Sequence, residues 1–343
     1  MKFFFIKVFY ISTLITFSQK AIAQKADTTS TKNKQDGYNI KYRQPLDSLM
    51  MLGLSFMADN TLFHLPTIHG GKSFDILPNM APPLKLSFRY KSLGLSVSGL
   101  RFLLYGTGYK SFNIDWTPTK NLSFYYQYGS AKNYRLDSLE NYTKYLINPK
   151  NENVSFPNIK TTFFKGQNYY YSNGNKFANR LPDQYYEKQK KSAGSWVIPF
   201  SFFYTKIDLS SEKFKDFTQP GSLGLPYNLS DFSVVTGIGY TYNWMIFRRF
   251  LVNFREIPLL GLNYNHANYD NNMHVNNLAF TFGTQTDFVF AYVSKNWIFS
   301  ERVQGISGQD LSTQKRLITT HIFTEVSIAH TFGVPKFLKK RKR

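Results

Sequence analysis

Along residues 84–99, LKLSFRYKSLGLSVSG, apolar and polar positions alternate with a period of two. Leu84, Leu86, Phe88 and Tyr90 take the even positions, and Lys85, Ser87 and Arg89 the odd ones. This is the pattern of a strand with one greasy face and one wet face. Across Lys91-Ser92 the apolar set moves to odd numbers, at Leu93, Leu95 and Val97. Residues paired across an antiparallel hairpin share a face, so a two-residue turn at Lys91-Ser92 requires that change of parity. The hairpin pairs Tyr90 with Leu93, Phe88 with Leu95 and Leu86 with Val97. Its other face sets long cations against small residues: Arg89 on Gly94, Ser87 on Ser96 and Lys85 on Ser98.

The same arithmetic predicts further hairpins. Phe112, Ile114 and Trp116 are matched with Tyr126, Phe124 and Leu122 across a loop holding Pro118. Tyr240, Tyr242 and Trp244 are matched with Phe254, Val252 and Phe250 across 245–249, and Leu278, Phe280 and Phe282 with Tyr292, Phe290 and Phe288 across Thr284-Gln285-Thr286. Two more segments alternate cleanly, Trp196–Tyr204 and Ile318–Ile328. The pattern predicts about twelve strands (10–14), near 49–57, 83–90, 93–104, 110–116, 122–130, 158–172, 194–208, 231–244, 250–264, 275–283, 287–303 and 315–333. Short turns alternate with long connections at 58–82, 131–157, 209–230, 265–274 and 304–314. One connection, residues 173–193, is too long for the short-turn end and breaks the rule.

A soluble sandwich also alternates, but its apolar face has no reason to end repeatedly in Tyr, Trp and Phe. Aromatics make up 18% of the chain, and such rings suit the interfacial girdles of a membrane barrel. A mean hydropathy of −0.34 is too low for helical spans. Backbone in lipid must bond internally, which for strands demands closure. The fold class expected is therefore all-β, an antiparallel transmembrane β-barrel.

The leading segment, MKFFFIKVFYISTLITFSQKAIA, sets the compartment. A basic start, an apolar stretch too short to span a bilayer and the small-x-small pattern Ala21-Ile22-Ala23 form a cleavable signal peptide over residues 1–23. Residues 24–48 read as a flexible periplasmic lead-in, 49–333 as the barrel and 334–343 as a basic tail. Export to the bacterial outer membrane is the expected localisation. The 343 residues hold no cysteine, which rules out disulfides, thiolate chemistry and a lipoprotein anchor. Net charge is +21. In an exported chain the counter-charge is no nucleic acid but outer-membrane lipid and anionic surface glycolipid.

Four stretches carry a family resemblance: ILPNMAPPLKLSFRYKSLGLSVSG (76–99), EKQKKSAGSWVIPFSFFYTKI (187–207), GIGYTYNWMI (237–246) and FGTQTDFVFAYVS (282–294). The run Gln189–Ser195 is the most distinctive. Together they resemble a family of uncharacterised bacterial proteins, a domain of unknown function whose members are taken to be outer-membrane barrels. The resemblance implies architecture and location, with the barrel-assembly machinery as a partner, and it brings no catalytic residues.

Candidate chemistry is sparse. His266, Asp270 and His274 in NHANYDNNMH have residue types that could ligate a metal, but in an Asn-rich loop nothing aligns them. His64 and His69 in FHLPTIHGGK are a second candidate pair of the same kind, and no more is assigned to them. His321 and Glu325 fall two inward positions apart on the last strand, about 13 Å, too far for contact. HGGKS at 69–73 and GTG at 106–108 lack the rest of any phosphate-binding fingerprint. No catalytic, cofactor or metal residue is assigned. The expectation is a non-catalytic structural or passive transport barrel with a basic lumen, conducting small anionic solutes or blocked by 58–82 or 131–157. The alternatives are a membrane-embedded hydrolase on lipid or surface polymer, dependent on His266, His274 and His321, and a secreted polyanion-binding β-protein. The tail PKFLKKRKR would meet anionic headgroups.

Overall fold

The computed structural model describes residues 39, 41–45, 49–65, 74–78, 83–99, 108–136, 155–179, 187–209, 227–247, 249–269, 273–294, 296–310 and 318–333. Its walls are β2 (Leu49–Leu65), β3 (Phe74–Pro78), β4 (Leu84–Tyr90), β5 (Leu93–Ser98), β6 (Lys110–Thr119), β7 (Leu122–Leu136) and β8 (Ser155–Tyr171). They continue with β10 (Ala193–Asp208), β11 (Asn228–Gly237), β12 (Gly239–Ile246), β13 (Phe250–Asn268), β14 (His274–Val293), β15 (Trp297–Asp310) and β16 (Ile318–Gly333). Two short strands, β1 (Arg43–Pro45) and β9 (Glu187–Gln189), pair only with each other. Neighbouring strands run antiparallel, and β16 returns to β2 from Leu49↔Gly333 to His64↔Ile318, which closes the wall. The result is a closed 12-strand barrel.

Two details reconcile fourteen wall segments with twelve staves. β11 and β12 keep one register against β13 on both sides of Ile238, so they are a single stave. That register sets Ile238 opposite Pro258, which has no N–H to offer the ladder. β3 sits above β4, bonding β2 at Phe63–Leu65 and β7 at Tyr134–Leu136. It therefore bridges directly over β4, β5 and β6 at the long-connection end.

The hairpin at 84–99 has the expected register, from Lys85↔Ser98 to Tyr90↔Leu93. Lys91 adopts a φ of 53°, the left-handed geometry that a two-residue turn needs. Three other hairpins differ from expectation. Phe112 pairs with Tyr128 and Trp116 with Phe124, because β6 continues through Pro118 and the turn is Lys120-Asn121. Tyr242 pairs with Phe254 and Trp244 with Val252, two residues along from the expected match. The largest correction is at Thr284-Gln285-Thr286, which is no turn but the middle of the 20-residue β14. The reversal lies at 294–296, where Tyr292 meets Phe299. Parity marks the difference: Phe282 and Phe288 are both even, whereas Phe290 and Tyr292 give way to Trp297 and Phe299.

Burial fixes which face looks out. Phe280 is 72% exposed and Phe88 37%, while Arg89 on the other face is 2% exposed and Asn253 and Asp287 are at 0%. Apolar side chains thus cover the outside and polar ones fill the interior. A water-soluble chain would reverse this.

Candidate functional site

The interior is packed by two polar assemblies. The first is a plug in the mouth at the short-turn end. The connection after β8 folds back inside the wall, and β1 from the preceding chain joins it by pairing with β9. Arg43 is fully buried at the centre, where its guanidinium donates to the Gly174 and Phe177 carbonyls and ion-pairs with the buried Glu187. Gln189 joins plug to wall. Its amide nitrogen donates to the carbonyls of Lys176 (2.8 Å) and Lys191 (2.7 Å). Its amide oxygen accepts from the Ala178 N–H (2.8 Å) and from Asn243 of β12 (3.2 Å). Ala178 packs among Leu251, Val289 and Ala291 of the inner wall, so the plug lies within the barrel. Phe177 stacks on Tyr171 with centroids 5.5 Å apart.

The second assembly surrounds Asp287. Its carboxylate accepts from Arg255 (2.8 Å), Arg302 (2.9 Å), Gln285 (2.8 Å) and Gln304 (2.7 Å). Arg255 also donates to the Tyr171 hydroxyl (3.1 Å) and lies over the Tyr169 ring, linking this cluster to the plug. Lys85 and Glu325 pair at 2.6 Å, and Arg89 pairs with Asp115 across Gly94, where any side chain would collide with both. Desolvated charges survive only when compensated in this way.

Above the plug is a cavity of about 100 Å³ bordered by Lys85, Arg89, Lys165, Arg302 and Glu325. A second, about 70 Å³, lies beyond it beside Asp231 and Asn263. Phe203, Ile306 and His321 border both cavities. Among the described inward-facing wall residues the bases are Lys85, Arg89, Lys165, Arg255 and Arg302, and the acids Asp115, Asp231, Asp287 and Glu325. Among the described residues the lumen is therefore close to balanced, five bases to four acids, and not the strongly basic interior expected.

The histidines do not form one site. His321 faces the lumen, whereas His266, half-buried, and His274, exposed, stand on the outer face. Those two do meet, with rings stacked at 6.1 Å. Their Nδ1 atoms lie 2.6 Å from Asn276 Oδ1 and 2.5 Å from Asn268 Oδ1. Asp270 and His69 lie outside the described residues, as does the side chain of His64. Among the described residues no group of three or more His, Cys, Asp or Glu converges as a metal site. Glu325, the carboxylate nearest in sequence to His321, is committed to Lys85. Sequence reasoning missed Arg43 and Glu187. The signal available was the over-long 173–193 connection together with the distinctive Gln189–Ser195 run.

A family model matches residues 34–333, starting in the segment that supplies β1 and ending at the last residue of β16. The chain belongs to the family described as Domain of unknown function (DUF4421). The family match therefore includes both halves of the plug of this DUF4421 barrel. No curated protein matches the chain. Solved structures similar to it include the outer membrane protease OmpT from Escherichia coli, at 10% identity and a TM-score of 0.37, covering 84% of this chain and 98% of that one. The outer membrane protein OmpT of Vibrio cholerae aligns at 7% identity and 0.32, covering 88% and 100%. The Pseudomonas putida toluene transporter TodX aligns at 8% and 0.23, covering 86% and 90%.

Proposed function

We propose that this DUF4421 chain is a non-catalytic outer-membrane barrel, exported by the 1–23 leader, whose lumen is held closed from the periplasmic mouth by a built-in plug. The carrying observation is the buried Arg43–Glu187 pair, which ties chain from before the first wall strand to the connection after β8 inside the barrel. An open passive pore would leave that mouth to water. Here it is filled with a buried ion pair, side-chain bonds to backbone carbonyls and aromatic packing. The closing element thus differs from the expected inward folding of 58–82 or 131–157. The described parts of those segments lie in wall strands, and residues 66–73, 79–82 and 137–154 fall outside the described residues. The barrel-assembly machinery accompanies this reading as its expected partner, and small anionic solutes would pass only once the plug is displaced.

Conductance of the full chain in planar bilayers tests it. The wild type is expected to be nearly silent, while Arg43→Ala and Glu187→Gln, each leaving a buried charge or donor unmatched, should open it. The opened barrel should discriminate weakly between anions and cations, because its wall charges nearly cancel. A wild type that conducts as freely as the variants defeats the plug as a closing element.

A further inference from the structure

Four exposed lysines, Lys110, Lys132, Lys160 and Lys206, stand together on the outer face, at the end carrying the long connections. Strand register places them in two adjacent rows. In the first, Lys110 is opposite Ser130, Ser130 opposite Thr162, and Thr162 opposite Lys206. The row continues through Ser230 to His266 and Asn276. In the second, Lys132 is directly opposite Lys160, which neighbours Asp208, and the row runs on through Asn228 and Asn268 to His274. All four lysines and His274 are exposed, and His266 is half-buried. Asp208 is the single carboxylate in these rows among the described residues. Immediately below lies an outward row of rings, Phe112, Tyr128, Phe164, Tyr204, Phe232 and Tyr264, joined by the same ladders.

Aromatic rings in one ring-shaped row mark the depth where hydrocarbon meets headgroups. The lysine rows therefore sit at headgroup depth. Like charges directly opposite on neighbouring strands destabilise a sheet, so Lys132 facing Lys160 costs stability unless an anion lies between them. Lys110 and Lys206 flank that pair on the adjoining staves, and neighbouring strands are only about 4.8 Å apart. Four ammonium groups over β6, β7, β8 and β10, with the Ser130 and Thr162 hydroxyls between them, form a shelf of phosphate-sized donors.

We infer that this shelf binds the phosphorylated sugar headgroup of an outer-leaflet glycolipid, its acyl chains lying against the apolar wall below. The placement rests on the outer-membrane reading above, but the binding can be measured apart from it. The detergent-purified full chain would be titrated with a bisphosphorylated, acylated diglucosamine lipid and bound lipid followed by native mass spectrometry. Lys132→Gln with Lys160→Gln should weaken binding about tenfold or more, as expected for lost charge-assisted contacts. Lys91→Gln, at the opposite end of the wall, should leave it unchanged. The same lipid stripped of phosphate should bind wild type as weakly as the double variant, and inorganic phosphate alone should not compete. Equal binding of the two lipids, or no loss in the double variant, overturns the proposal. Heat-modifiable migration of each variant confirms that the barrel has closed. Location is tested separately by fractionation, so a barrel that binds this lipid but resides elsewhere would sink only the outer-membrane reading.

Discussion

Asp287 shows what a single side chain does inside this wall. It is fully buried and takes four donors, two of them guanidinium groups. Without it, Arg255 and Arg302 would face each other across a desolvated interior. Asp287→Ala should therefore cost about 3–5 kcal/mol, the usual penalty for breaking a buried pair from one side. Urea unfolding of the refolded barrel in detergent reads this directly, and a change within measurement error would show that water reaches the site. Alternation alone placed Arg89, Asn253, Arg255, Asp287 and Glu325 on one face. What it could not supply was their partners. Arg255 and Asp287 are 32 residues apart, and only the β13–β14 register brings them together. The Arg43–Glu187 pair, 144 residues apart, had even less to betray it.

At the scale of elements, turn parity proved a better guide than apolar runs. It was right at Lys91-Ser92, where the residues themselves carry no favoured turn dipeptide. It went astray at 284–286 because even-numbered runs on both sides fit a three-residue loop and a continuous strand equally, and the chain takes the strand. The two possibilities make opposite predictions for insertion. A three-residue Gly-Ser-Gly tag placed at 284–286 should block formation of the heat-modifiable closed species, since an odd insertion shifts one half of β14 to the wrong face. The same tag at 294–296 should be tolerated, as turns absorb insertions readily. Assembly with both tags would contradict the long β14. The plug has a different logic. Its strands β1 and β9 are three residues each and carry no readable alternation; side-chain bonds to Gln189 and Arg43 hold them.

For the molecule as a whole, the decisive property is a wall that is apolar outside and wet within. The absence of native cysteine makes this simple to probe with introduced thiols. Phe88→Cys should react with a bilayer-confined thiol reagent at least several-fold faster than Ser87→Cys, which borders the lumen cavity. The reverse ranking would turn the barrel inside out and remove the basis for the plug and the headgroup shelf alike. Among the described residues wall bases and acids nearly cancel inside, while exposed lysines of β6, β7, β8 and β10 stand on the outer face, an arrangement that composition could not distinguish from a basic pore.

Period-two alternation, the changes of parity at turns and the aromatic ends of strands were enough to determine a transmembrane barrel and its two faces, because lipid and water impose that pattern on each strand separately. The tertiary structure alone decided the rest. Register sets Lys132 against Lys160, closure joins β16 to β2, and distant chain segments meet as a plug. Those features depend on which strands become neighbours, and a residue carries no mark of a partner a hundred positions away.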